Sequence, residues 1–137
     1  MEKIVEKTGF PLEYLFTYED DFEYGLRIIK NGFAIYQLFN PYIHDVDMSN
    51  RSDGFLSIFS EETGDFRVFY RVRNNAYLSY HIYNTNIVLL CANLFLIFLI
   101  FNSYFIFKYG FKKILVKRNK LIIKAFLKGI KNDFSPF

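Results

Sequence analysis

The side chains best suited to chemistry are gathered in one short segment, HDVDMSNRSDG at residues 44–54. This segment holds four candidate metal ligands, His44, Asp45, Asp47 and Asp53. Carboxylate oxygens are the ligands that Ca²⁺ and Mg²⁺ prefer. A calcium loop that starts at Asp45 would need Gly at its sixth position and Glu at its twelfth, where Leu56 stands. Because both positions fail, the segment favours a solvated loop over a metal site.

The remaining reactive residues form no catalytic set. His81 lies in the run YLSYHIY (77–83), which favours a strand residue near a membrane surface over a haem ligand or a base. The single Cys91 cannot form an internal disulfide. The sequence contains no Ser/His/Asp or Cys/His arrangement, no phosphate loop and no CxxC pair. We therefore expect a protein that is not an enzyme, with no catalytic, cofactor-binding or metal-binding residues.

Charge is divided unevenly along the chain. Residues 1–85 hold 8 basic and 13 acidic side chains, whereas residues 86–137 hold 9 basic side chains and one acidic side chain. No charged residue occurs between Arg73 and Lys108. Such asymmetry is typical of a chain that has one acidic part and one basic part with different surroundings.

The uncharged interval contains a run of membrane-spanning length, IVLLCANLFLIFLIFNSYFIF at residues 87–107. Twenty-one residues in a helix cover about 30 Å, the thickness of the hydrocarbon layer. We therefore predict one transmembrane helix at residues 86–108. Three polar residues interrupt it, and we expect them to contact neighbouring helices within the membrane: Asn93, Asn102 and Ser103.

Basic residues crowd the C-terminal edge of this run. By the positive-inside rule they place the C-terminus in the cytoplasm, or in the matrix if the membrane is mitochondrial, and residues 1–85 on the outer side. Eight lysines form the predicted interface with lipid or partner subunits: Lys108, Lys112, Lys113, Lys117, Lys120, Lys124, Lys128 and Lys131.

Residues 109–137 are predicted to form a basic amphipathic helix. On a helical projection, the lysines from Lys113 to Lys131 occupy one narrow stripe, and most of the remaining circumference is apolar. Arg118 and Asn119 are exceptions on the apolar side. The helix can lie in the membrane interface beside anionic lipid such as cardiolipin, or pack against other subunits. Nucleic-acid binding would leave the apolar face unexplained.

Residues 1–85 are predicted to form a small acidic α+β module. Residues 17–30 suggest a short helix that Thr17 or an Asp could cap, and that Asn31 and Gly32 could end. Four runs suggest strands of an antiparallel hairpin or meander, at residues 32–39, 54–59, 65–73 and 77–83. The turns are placed at residues 61–65 and 74–76. The expected fold class is thus an α+β membrane protein with one transmembrane helix and a C-terminal amphipathic helix.

A resemblance sharpens the expected class. Nearly half of the residues are Phe, Ile, Lys, Asn or Tyr, and the start MEKIVEKTGF has no apolar targeting segment. With IVLLCANLFLIFLIFNSYFIFKYGFKKILVKRNK, these features resemble small proteins encoded in ciliate-type mitochondrial genomes, many of which are subunits of respiratory complexes or ATP synthase. The layout from residue 87 is similar to subunit 8 of mitochondrial ATP synthase, without that family's Pro-Gln-Leu motif.

The resemblance implies a non-catalytic accessory subunit of an energy-transducing complex of the mitochondrial inner membrane, with the ATP synthase membrane region favoured. Its partners would be other membrane subunits and lipid. Its N-terminus would lie in the intermembrane space and its C-terminus in the matrix. Two alternatives remain: a membrane-tethered ligand-binding or sensor protein of an A/T-rich bacterium or virus, and a component that anchors a mitoribosome to the membrane.

Overall fold

The computed structural model describes residues 2–15, 18–36 and 63–137, and these residues are mostly helical, with no strand among them. Five α-helices follow one another: α1 (Glu2–Thr8), α2 (Asp20–Lys30), α3 (Asp65–Tyr77), α4 (Ile87–Tyr109) and α5 (Lys113–Ile130). A 3-10 turn covers Glu13–Leu15, and a π-helical segment, Leu78–Ile82, extends α3. The predicted α+β fold class is therefore wrong for this part of the chain.

Helix α3 replaces the strand predicted at residues 65–73. The alternation of aromatic and basic residues in DFRVFYRVR suggested period two, but the buried side chains Val68, Phe69 and Ala76 recur at helical spacing. The turn predicted at residues 74–76 lies inside α3, and the strand predicted at 77–83 is mainly π-helical. Tyr, Phe and Val favour strands only weakly, and packing against a neighbouring helix overrides that preference here.

The other N-terminal predictions have mixed outcomes. Helix α2 begins at Asp20 and ends at Lys30. Asn31 is its C-cap and Gly32 follows with a φ of 83°, so the predicted helix end is confirmed. Glu19 precedes the helix without a capping side-chain hydrogen bond, and Thr17 lies outside the described residues. Of the predicted strand at 32–39, residues 33–36 belong to no strand. Residues 37–62 fall outside the description, and with them the strand at 54–59 and the residues His44, Asp45, Asp47 and Asp53.

Helices α3 and α5 form the centre of the molecule and run parallel to each other. At their N-terminal ends, Arg118 Nη1 lies 2.9 Å from Asp65 Oδ1. At their C-terminal ends, a Cβ atom on Gly129 would lie 2.8 Å from the Cβ of Ala76, so only glycine permits this approach. Between these two points, α3 residues such as Phe69 pack against Ala125 of α5, and both are fully buried.

Two buried polar residues of α3 attach the N-terminal segment. Arg73 is 1% exposed and donates from Nη2 to the carbonyl of Tyr14 at 2.8 Å. Asn74 is fully buried and donates from Nδ2 to the carbonyls of Leu15 and Tyr18, at 3.1 and 2.7 Å. Burial lowers the pKa of the Arg73 guanidinium from its usual value. These bonds satisfy loop carbonyls that would otherwise be unpaired.

Helix α4 runs antiparallel to α5 as the first arm of a helical hairpin. Gly110, with a φ of 72°, follows α4, and residues 110–112 connect the two helices. The two helices are joined by a side-chain hydrogen bond, in which Asn119 Nδ2 donates to Asn102 Oδ1 at 2.8 Å. Because α3 and α5 are parallel, α4 is antiparallel to both of them.

Candidate functional site

Helix α4 has two apolar faces with different surroundings. Its inner face packs against the α3–α5 pair through Leu94, Phe98, Phe101 and Phe105, which join the cluster of Val68, Leu115 and Ile122. Its outer face, by contrast, is open. The residues of this α4 outer face are Val88, Leu89, Phe95, Leu96, Leu99, Ile100, Ile106 and Phe107, between 43% and 93% exposed. A surface helix of a water-soluble protein exposes polar residues on that side.

The outer face extends along a helix of membrane-spanning dimensions. Residues Ile87–Phe107 have a mean hydropathy of 2.2, and none of that stretch is buried inside the molecule. Among the described residues, this is the helix that is long and apolar enough to cross a bilayer. Asn86 begins the helix by accepting a hydrogen bond from the Val88 backbone at 2.8 Å. The structure therefore contains one candidate membrane-associated element, at the place where the sequence predicts a transmembrane helix.

The lysines singled out from the sequence have several kinds of surroundings. Lys113, Lys120 and Lys131 are exposed on α5 and at its C-cap, and Lys112 is exposed just before the helix. The remaining members contact the chain itself: Lys117 pairs with Asp65 at 2.5 Å, Lys124 lies over the rings of Phe69 and Phe137, and Lys128 lies 3.8 Å from Asp133. The side chain of Lys108 lies outside the described part of the chain.

An exposed apolar strip runs along α5 beside these lysines. Val116, Ile123 and Leu127 are 41%, 44% and 47% exposed, and we refer to them as the α5 apolar edge. On a helical projection they lie between Asn119, which contacts α4, and the lysines. The sequence pattern predicts a wide apolar face on this helix but does not separate its buried part from this exposed edge. Only the position of α3 makes that separation.

The three polar residues of α4 that were predicted to contact neighbouring helices differ in their partners. Asn102 donates to the Phe98 carbonyl at 2.7 Å and accepts from Asn119, so its contact is with the chain's own α5. Asn93 is exposed and lines a groove between helices, and Ser103 is exposed. The contacts predicted with helices of other subunits stay a prediction.

A groove of about 460 Å³ separates parts of α3, α4 and α5. One wall is polar, with Glu19, Arg71 and Asn75, and the other is formed by apolar residues such as Leu94 and Ile97. Burial raises the pKa of the Glu19 carboxyl, although a hydrogen bond with Asn75 and the charge of Arg71 oppose this shift. The volume falls in the range of small-molecule pockets, but these groups form no nucleophile–base pair.

Charge is neutralised where α5 begins beside α3. Asp65 contacts Lys117 and Arg118, and Arg118 also donates to the carbonyl of Thr63. The hydrogen bond from Lys117 and the charge of Arg118 hold the pKa of Asp65 below its usual value. Arg118, an exception to the apolar pattern of its helix, is 2% exposed and thus has a partner inside the molecule. Sequence spacing could not reveal this pair, because its members are on different helices.

Other reactive groups are dispersed. Among the described residues, no three His, Cys, Asp or Glu side chains are grouped so that they could hold a metal ion. His81 Nε2 lies 2.9 Å from the carbonyl of Ile130, and Cys91 is exposed on α4. The most distinctive surface of the described chain is therefore the combination of the α4 outer face, the α5 apolar edge and the neighbouring lysines.

The described part of the chain is thus helical, and one of its helices, α4, is suited to a membrane. Comparison of the chain with protein-family models, with curated proteins and with solved structures finds no match.

Proposed function

We propose that this protein is a membrane-bound, non-catalytic structural subunit of a larger membrane assembly. The observation that carries the proposal is the α4 outer face, which is apolar and uncharged along the length of the helix and exposed throughout. Leaving such a surface in water is unfavourable by about 25 cal/mol for each Å². A hydrophobic surface of this extent favours a lipid environment or a membrane partner.

The assembly that we propose is an energy-transducing complex of the mitochondrial inner membrane, with the membrane region of ATP synthase favoured over respiratory complexes. Two features of the sequence support this location: the Phe/Ile/Lys/Asn/Tyr-rich composition, and a basic helix directly after the apolar one. The role within the complex would be to hold neighbouring subunits together and to attach them to lipid.

The arrangement across the membrane has two versions. The distribution of lysines predicts residues 1–85 in the intermembrane space and the C-terminal helix in the matrix. The contact between α3 and α5 argues against this opposite-side arrangement, because α3 precedes α4 in the chain and α5 follows it. A bilayer of about 30 Å would separate segments that lie on its opposite faces. Asp65 and Arg118, however, are 2.9 Å apart.

The proposed function is tested by extracting membranes with a mild detergent and separating the complexes by blue-native electrophoresis with mass spectrometry of each band. We expect the protein in a band with subunits of an oxidative-phosphorylation complex. A protein that migrates alone, away from all of these complexes, would contradict the proposal. Migration with ribosomal proteins, lost at high salt, would instead favour the mitoribosome alternative.

A further inference from the structure

The α4 outer face and the α5 apolar edge adjoin each other. Asn102 and Asn119 fix α4 against one side of α5. The next positions around α5 are Val116, Ile123 and Leu127, and after them come the lysines. In the described part of the chain, the two antiparallel helices thus form a continuous apolar surface with a row of positive charges along its border.

The charges on this border are available to a partner. Lys113, Lys120 and Lys131 are exposed and have no ion pair among the residues that the structure describes. Their spacing places them on one side of α5, at similar angles around the helix axis and next to the apolar edge. Positive side chains beside a buried apolar face are the arrangement by which interfacial helices bind anionic lipid.

The packing of α3 on α5 decides how such a surface can meet a bilayer. If α4 crossed the membrane with its flanking segments on opposite faces, residues such as Phe69 and Ala125 would lose their mutual contact and meet water. That rearrangement would gain less for the inner face of α4, which is already partly buried against α3 and α5, than for the open outer face. Only the outer face requires lipid, and it can reach lipid while the three helices stay together.

We propose that the protein is monotopic: α4 lies along the surface of an anionic bilayer, with its outer face and the α5 apolar edge among the acyl chains. The exposed lysines then contact the phosphate groups, and α1 and the C-terminus lie on the same side of the membrane. This inference rests on the proposed function, because it specifies how the membrane-bound subunit is held. It replaces the opposite-side arrangement predicted from charge alone.

The topology is tested on the full chain, added to preformed phosphatidylcholine–phosphatidylglycerol vesicles by dilution from detergent. Two single-cysteine proteins are made in a Cys91→Ser background, Lys3→Cys near the N-terminus and Pro136→Cys near the C-terminus. Both positions are exposed. A membrane-impermeant maleimide is applied before and after the vesicles are opened. We expect both cysteines to be fully labelled in closed vesicles. Labelling of only one position, or labelling of both that rises on opening, would overturn the inference.

The lipid contact is tested by flotation of the protein with vesicles that contain or lack phosphatidylglycerol. Removing three charges by Lys113→Gln, Lys120→Gln and Lys131→Gln should weaken binding to anionic vesicles about 100-fold, since each lysine near the surface contributes about fivefold. A matched triple variant, Lys3→Gln, Lys7→Gln and Lys30→Gln, removes the same charge from α1 and α2. We expect it to bind nearly as the unmodified protein does.

The remaining outcomes also distinguish the possibilities. Equal losses in the two triple variants would contradict a specific lysine border. A protein that binds neither kind of vesicle and sediments as a dimer would mean that a second copy covers the outer face, which overturns the inference. If cysteine labelling shows a spanning topology while the protein still migrates with a respiratory complex or ATP synthase, the inference fails and the proposed function stands. If both cysteines are fully labelled in closed vesicles but the protein migrates alone, the monotopic arrangement stands and the proposed function fails.

Discussion

Gly129 is the residue at which α5 comes closest to α3, and its replacement by Ala tests the central packing of the fold. A Cβ at this position would lie 2.8 Å from the Cβ of Ala76 and would also collide with the carbonyl oxygen of Arg73. The carbonyl belongs to the helix backbone, so no rotation of a side chain can relieve the collision. The two helices would have to move apart.

The expected magnitude follows from two opposing effects. Overpacking of a tight contact destabilises by about 1–3 kcal/mol, and a backbone collision belongs at the upper end. Replacing Gly by Ala in a helix stabilises by about 1 kcal/mol. The net effect of Gly129→Ala should therefore be a loss of about 2 kcal/mol in the free energy of unfolding. For a chain of this size, that corresponds to a fall in Tm of about 8 °C.

Gly25 supplies a matched control within α2. A Cβ at Gly25 would meet the Ile35 Cδ1 atom at 3.5 Å, which is an ordinary van der Waals distance. The same substitution, Gly25→Ala, should thus stabilise the protein by about 0.5–1 kcal/mol. Two chemically identical changes are expected to have opposite signs, because only one of the glycines lies between packed helices.

Thermal unfolding of the full chain in mild detergent, followed by far-ultraviolet circular dichroism, measures both variants. A Gly129→Ala protein as stable as the unmodified protein, or more stable, would refute the parallel packing of α3 and α5. Adding Ala76→Gly to Gly129→Ala removes one of the two collisions, so the double variant should lose less stability than the sum of the losses of the two single variants. That result would also support the same-side topology, which depends on this contact.

Four further single variants and one double variant test the polar contacts. Asp65→Asn should lower stability by about 2 kcal/mol at neutral pH, because Arg118 stays buried without its counter-charge. The folded pKa of Asp65 is depressed, so the unmodified protein should lose this contribution only as the pH falls below about 4; chemical denaturation at several pH values would show the two proteins converge at acid pH. Asn102→Leu and Asn119→Leu should each destabilise by about 1 kcal/mol, whereas the double variant should be nearly neutral, as measured by a double-mutant cycle. Asn74→Ala should speed hydrogen exchange and proteolysis near residues 10–20 without unfolding α4, since the carbonyls that Asn74 binds belong to that segment.

An element could be predicted from the sequence where its structure depends on neighbouring residues, and could not be predicted where it depends on residues far away in the chain. The helix end at Asn31 and Gly32 was predicted from adjacent residue types, and the structure has it there. Residues 65–73 and 77–83 were predicted as strands, the first because aromatic and β-branched residues alternate with arginines over a short window. Whether such a run forms a helix or a strand is decided by the surface on which it packs, and α5 lies some fifty residues further along the chain.

Some features of the candidate surface could likewise be predicted from the sequence and others could not. The residues that form this surface are visible in local sequence patterns: an uncharged run at 87–107 and lysines at helical spacing. The limits of the surface depend instead on residues that are distant in the chain. Arg118 and Asn119 interrupted the apolar pattern without explanation until their partners, Asp65 on α3 and Asn102 on α4, were in place.

The sequence by itself determined the length and hydrophobicity of α4 and the division of charge along the chain, since these properties depend only on neighbouring residues. The tertiary structure alone decided which half of α4 is open and which apolar residues of α5 remain exposed. It also decided that the segments before and after α4 touch. The physical reason is that exposure and contact depend on residues far apart in the chain, and a linear pattern does not specify which of them meet.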